Sequence, residues 1–164
     1  MNSKNFIVAF LVMMVFWVLI NNTFDPLNLG VGAGLALVIS LLFCTRCDIF
    51  RELKMTPKAF IYTLVYLVVF VWELIKSNLD VARRVLSPGL PINPGIVEVK
   101  TRLTSPMGRM ILANSITLTP GTLTVDIHND RLFIHWIDVK SDDINAATNA
   151  IVKKFEKYLE VIYG

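Results

Sequence analysis

The sequence predicts a membrane α-helical protein of two to three transmembrane helices that carries a small C-terminal α+β domain of about three strands and two helices. Three observations predict it. Apolar residues make up 54% of the 164-residue chain and charged residues only 18%, with a mean hydropathy of +0.58, beyond the usual range of a soluble domain. Three long runs, Phe6 to Ile20, Leu27 to Phe43 and Ala59 to Ile75, hold a single charge between them, at Glu73. The composition then changes abruptly at Ser87, where three prolines and two glycines fall within nine residues. The chain therefore divides into membrane helices with a basic link and a long third helix (1–86), a Pro/Gly linker (87–95), and a small domain (96–164).

Each apolar run is close to the roughly 20 residues that cross a bilayer, and in lipid only a helix satisfies its own backbone. Lys4 ahead of the first run resembles a signal peptide, yet Leu19-Ile20-Asn21-Asn22 lacks small residues for cleavage, so the run reads as a retained span. The link from Asn21 to Pro26 has no Lys or Arg, whereas the link after the second run holds Arg46, Arg51, Lys54 and Lys58. That asymmetry puts the second link and the amino terminus in the cytoplasm. Lys58 and Lys76 flank the third run at both ends, so charge does not orient it. Its continuation turns amphipathic, with Trp72, Ile75, Leu79, Ala82 and Leu86 on one stripe, as in a helix that leaves the membrane or lies along its surface.

In the domain, Ile96 to Leu103 reads as a strand and Ser105-Pro106 as the start of a short helix through Met107, Met110, Ile111 and Asn114. Leu118-Thr119-Pro120-Gly121-Thr122 is a turn, because proline presets φ and glycine accepts a positive one. Thr122 to His128 and Arg131 to Val139 form a hairpin joined by Asn129-Asp130, pairing 128 with 131 and 126 with 133. Its core face is then Leu123, Val125, Ile127, Leu132, Ile134 and Trp136. The opposite face, Thr124, Asp126, His128, Arg131, Phe133 and His135, is mostly polar and suits solvent or a partner. Ser141 caps a last helix, with Asp142 and Asp143 at its positive end and Ile144, Ala147, Ile151, Phe155, Leu159 and Ile162 on one face.

Residues able to carry chemistry are few. Cys44 and Cys47 have redox spacing, but no second pair completes a zinc or iron–sulfur site, and two cysteines make no disulfide framework. His128 and His135 stand on different rungs of the hairpin, without further His or Cys in the domain to complete a metal site. Gly30-Val31-Gly32-Ala33-Gly34 has the look of a dinucleotide loop, but it lies inside an apolar span; small residues at Gly30 and Gly34 instead admit another membrane helix. Glu73 is the one ionisable residue inside an apolar run, a candidate for an ion path, with a local pair to Lys76 as the plainer reading. Sixteen Lys and Arg against 13 Asp and Glu leave no basic excess for nucleic acid. No cofactor, metal or small-molecule substrate is implied.

Two stretches carry a resemblance. Val85-Leu86-Ser87-Pro88-Gly89-Leu90-Pro91-Ile92-Asn93-Pro94-Gly95-Ile96 and Leu112-Ala113-Asn114-Ser115-Ile116-Thr117-Leu118-Thr119-Pro120-Gly121-Thr122-Leu123 are similar to the E-type subunits of multisubunit Mrp-type sodium/proton antiporters, and the likeness extends over most of the chain. Related subunits occur in membrane-bound hydrogenase complexes with antiporter-like modules. The resemblance implies a non-catalytic accessory subunit of the cell membrane with a cytoplasmic C-terminal domain, ion translocation belonging to larger subunits. Its partners are then other membrane subunits and the bilayer, reached through its spans and through Phe133, His135 and the Thr119-Pro120-Gly121 turn.

Overall fold

The computed structural model describes residues 3–44, 54, 56–141 and 143–164. Cys47, Arg46, Arg51 and Asp142 lie outside them, as does the side chain of Cys44, whose backbone closes a helix. The chain forms two compact units, residues 1–53 and 54–164.

The first unit is a helical hairpin, α1 (Ser3–Asn21) and α2 (Pro26–Cys44). Asn22 adopts φ 48° after α1, a left-handed position that asparagine tolerates. The Asp25 carboxylate accepts from the Asn28 amide at 3.1 Å, and Pro26 occupies the first helical position, where no amide is needed. Across the hairpin the Trp17 indole donates to the Asn28 side-chain oxygen at 2.7 Å. The residue that admits Trp17 is Gly32, since a Cβ there would collide with the indole ring. Ala36 and Ser40 are buried on the same stripe, four and eight residues on. Gly30 and Gly34 lie on the opposite side of α2, where added Cβ atoms would meet nothing within 4 Å.

The second unit begins with α3 (Pro57–Leu86), whose 30 residues make it about 45 Å long. Among the described residues it is the helix long and apolar enough to cross a membrane by length and composition; the apolar stretches of α1 and α2, Phe6–Asn21 and Pro26–Leu42, are shorter. Thr56 caps it, accepting from the Ala59 amide at 3.1 Å. There follow β1 (Gly95–Lys100), α4 (Pro106–Leu118), β2 (Thr122–His128), β3 (Arg131–Trp136), α5 (Ile144–Ile151) and α6 (Lys153–Tyr163). The strands make one antiparallel sheet in the order β1-β3-β2. Helix α5 packs on β1 and α4 on β2, α6 packs on α4, and α3 packs on α6. The core is Val99, Leu112, Ile116, Leu132, Ile134, Phe155 and Leu159, all fully buried.

Several expectations change. The hairpin pairs 128 with 131 and 126 with 133 as the turn requires, but a bulge between Thr124 and Asp126 shifts the rest, so Leu123 faces His135 and Thr124 faces Ile134. The predicted core face therefore fails in β2: Leu123 is 50% and Val125 56% exposed. The inward positions belong to threonines, whose hydroxyls donate to carbonyls of α4: Thr122 to Ile116 in its last turn at 2.7 Å and Thr124 to Ala113 farther back at 3.1 Å. The Ile116 carbonyl is among the last four of the helix, which lack intrahelical partners, and a threonine on the adjacent edge strand satisfies it. β1 stops three residues earlier than predicted because Thr101 and Arg102 turn to the buried Glu156 carboxylate, which accepts from the Thr101 hydroxyl at 2.6 Å and the Arg102 amide at 2.7 Å.

The last helix is two helices broken at Val152, giving the domain three helices rather than two, and its cap is Asp143, which accepts from the Ala146 amide at 2.8 Å. Ser141 sits just ahead of it, its hydroxyl accepting from the Asp143 amide. The predicted face survives the break, with Ala147, Ile151, Phe155, Leu159 and Ile162 buried. Burial of Tyr163 at the end of α6 pushes its phenol above the ordinary value, so it stays neutral throughout the physiological range.

Phe155 is fully buried and meets Tyr66 and Phe70 of α3, each at 6.4 Å between ring centroids. Phe155→Ala should cost about 3–5 kcal/mol, read as a lower denaturation midpoint by Trp136 fluorescence of the full chain in detergent with Trp17 and Trp72 changed to phenylalanine. A loss below about 1 kcal/mol would show that α3 does not close this core.

Candidate docking surfaces and the cleft beside helix α3

The domain meets α3 along one stripe of the helix. Ala59 is buried, and Tyr62, Tyr66, Phe70, Glu73, Ser77, Val81 and Arg84 follow at helical spacing, half-covered. Just before the helix, the Lys54 amide donates to Ile162. Tyr62 then meets Tyr158 at 6.4 Å, and the Tyr66 hydroxyl bonds Ser115 of α4. At the far end Arg84 reaches Asp138 at 2.9 Å and donates to the Pro91 carbonyl at 2.7 Å. Coverage thus runs the length of the helix. The predicted amphipathic stripe, by contrast, points away from the domain: Trp72 is 64% and Leu79 67% exposed, and Ile75 and Leu86 are exposed with them.

The carboxylate of Glu73 is 17% exposed and has two cationic neighbours. Lys76, the partner anticipated from the sequence, lies at 3.8 Å, while Lys154 of α6 is closer, at 3.1 Å. Sequence reasoning missed Lys154 because the pair joins residues 81 apart in the chain. The available signal was the polar and aromatic stripe itself, one heptad-like line of Tyr, Tyr, Glu, Ser and Arg in an otherwise apolar run.

Thr119-Pro120-Gly121 forms the expected turn. The Thr122 amide donates to the Thr119 carbonyl at 3.3 Å, and Gly121 has φ +93°, the left-handed position that a type II turn demands. The turn is packed inward: Thr119 is buried, and a Cβ on Gly121 would lie 3.1 Å from Ile137 and 3.8 Å from Val81 of α3. With the end of β3, the start of α6 and the second half of α3 it lines a cleft of about 460 Å³. Phe133 and His135 are elsewhere, on the outer face of the sheet. His135 is exposed between Leu123 and Ile96, and Phe133 lies between Asp126 and Glu98. His128 pairs with Asp126 at 2.8 Å and Arg131 with Glu98 at 3.0 Å. The linker is tied down rather than loose, since Asn93 exchanges backbone bonds with Ile137 and Val139. Among the described residues no group of three or more His, Cys, Asp or Glu is placed to hold a metal.

A helical hairpin of apolar surface, a long helix apolar on one side, and a small α+β domain packed on that helix define a membrane-attached protein with a folded domain. The family described as Na+/H+ ion antiporter subunit (MNHE) matches residues 10–162, and the chain belongs to it. It is 36% identical to the E-type Na(+)/H(+) antiporter subunit of Bacillus subtilis strain 168, over 89% of this chain and 90% of that one. Against the corresponding antiporter subunit of Alkalihalophilus pseudofirmus the identity is 35%, over 81% and 83%. In three dimensions it is similar to a chain of the membrane-bound sulfane sulfur reductase, an archaeal respiratory membrane complex, with a TM-score of 0.86 and 44% identity over 97% of this chain and 99% of that one.

Gly121→Val should cost about 1–3 kcal/mol through backbone strain, and the new methyls press on Ile137. Limited proteolysis of the full chain should show faster cleavage in the domain, whereas Gly89→Ala, which would meet nothing within 4 Å, should leave the pattern unchanged. Equal patterns for both would show that the turn does not hold the domain's shape.

Proposed function

We propose that this chain is a non-catalytic accessory subunit of a sodium/proton antiporter assembly, holding a cytoplasmic α+β domain against the membrane for other subunits to bind. One observation carries the reading: α3 is covered by the domain along one stripe from end to end and bares an apolar band along the other. The hydrocarbon core is roughly 30 Å thick. Had α3 crossed it, α4 and α6 would be drawn in with it, together with the exposed Lys153 and Lys157. Charged groups at that depth are costly. In the proposed arrangement α1 and α2 cross, α3 lies in the plane of the cytoplasmic surface, and the basic link from Arg46 to Lys58 stays on that side.

The spans and the outer sheet face supply the docking surfaces. Gly30 and Gly34 leave the far side of α2 bare, which supports close approach by a neighbouring subunit's helix, and Phe133 and His135 with Leu123 offer a partly apolar patch. Purification in mild detergent should recover the chain in a stoichiometric complex with other antiporter subunits. Recovery alone, with ion flux in liposomes, would contradict the accessory role. The likeness to the respiratory complex favours a second setting, in which redox subunits are recovered in the same assembly.

Two variants test the details. A cysteine introduced at the exposed Asn145, with Cys44 and Cys47 changed to serine, should resist membrane-impermeant maleimide in intact cells and react once they are opened. Labelling in intact cells would put the domain outside. Glu73→Gln removes a partly solvated pair worth about 0–1 kcal/mol, so assembly and most exchange activity should persist. Lost exchange in a fully assembled complex would instead give Glu73 a part in an ion path.

A further inference from the structure

The cleft beside the Thr119-Pro120-Gly121 turn is lined by five cations and three carboxylates. The carboxylates are all engaged. Glu73 holds Lys154 and Lys76, and Asp80 and Asp138 both hold Arg84, at 2.8 and 2.9 Å. Arg83 and Lys140 remain, and among the described residues neither has a carboxylate partner. Both are exposed, on elements that meet at the cleft: Arg83 in the last turn of α3, Lys140 just after β3. Two unpaired cations about a concave surface attract an anion, and lysine and arginine together suit a phosphate oxygen cluster.

The surroundings select the kind of phosphate. Leu79 belongs to the cleft lining and to the exposed apolar band of α3, so the cation cluster opens directly onto the band that carries Trp72 and Ile75. A free phosphate has no use for that neighbour; an acyl chain does. Tryptophan is enriched at the headgroup level of a bilayer, and the cytoplasmic leaflet is negatively charged.

We propose that this cleft binds the headgroup phosphate of an anionic phospholipid, with Arg83 and Lys140 taking the phosphate and the acyl chains entering the bilayer past Leu79 and the exposed apolar band of α3. The proposal rests on the reading that α3 lies at the membrane surface. Its consequence is lipid selectivity: the domain is seated on anionic membrane in preference to zwitterionic.

The test is native mass spectrometry of the full chain in detergent, titrated with dioctanoyl phosphatidylglycerol or dioctanoyl phosphatidylcholine. The expected result is tighter binding of phosphatidylglycerol, weakened at least tenfold by Arg83→Gln with Lys140→Gln and restored by Arg83→Lys with Lys140→Arg. Neutralising Lys153 and Lys157, which do not line the cleft, should leave binding unchanged. Equal affinity for the two lipids, unchanged binding in the double variant, or an equal loss on neutralising Lys153 and Lys157 would each overturn the site. So would displacement of phosphatidylglycerol by millimolar inorganic phosphate, which would make it a site for a soluble anion. The spectrum counts bound lipid and is blind to helix depth, so these failures remove the headgroup site and leave the placement of α3 standing.

Discussion

One helix has to satisfy two environments along its entire length, and the rest of the molecule follows from how it does so. α3 turns its aromatic and polar stripe, Ala59 through Arg84, to the domain and its Phe60, Leu64, Val68, Ile75 and Leu79 band outward. The periodicity of 3.6 keeps the two faces separate for eight turns. Reversing the roles is not open to it. The Tyr66 hydroxyl and the Glu73 carboxylate find partners on Ser115 and Lys154, and in hydrocarbon each would be left without one.

The domain depends on that arrangement as much as the helix does. A sheet of three strands with short helices buries a modest share of its surface, and Phe155 and Leu159 of α6 would form an incomplete core if α3 were absent. The pairs at the second half of the helix, Glu73 with Lys154 and Arg84 with Asp138, fix the register between them without asking much of the total stability, since partly solvated pairs contribute little. Ion translocation needs ionisable groups poised inside the membrane. Here the carboxylate of the apolar run is paired with Lys154 and Lys76.

Much of this was legible in the residues. Pro106 behind Ser105 announced a helix start, and Asn129-Asp130 and Pro120-Gly121 announced two turns, because these depend on local φ preferences that a sequence displays directly. The face of β2 was not legible. Alternation predicts Leu123, Val125 and Ile127 inside, whereas the bulge that turns Leu123 out goes with the bonds of Thr122 and Thr124 to carbonyls of α4, contacts between separate elements. The role of the glycines was half legible: a small-residue stripe was evident, but Gly32 rather than Gly30 or Gly34 meets Trp17, a choice set by the Trp17–Asn28 bond across the hairpin. The partner of Glu73 was out of reach for the same reason. An i, i+3 neighbour can be read from the chain, whereas Lys154 arrives only once α6 has folded onto α3.

The placement of α3 is tested most directly by membrane depth. Spin labels at Leu64, Val68, Ile75 and Leu79, one at a time in the full chain in nanodiscs, report depth through collision with oxygen and with a polar nickel chelate. An in-plane helix predicts four equal, shallow depths of about 5–10 Å. A progression from one label to the next, with one of them at the bilayer midplane, would mean that α3 crosses the membrane and that the domain does not lie along it.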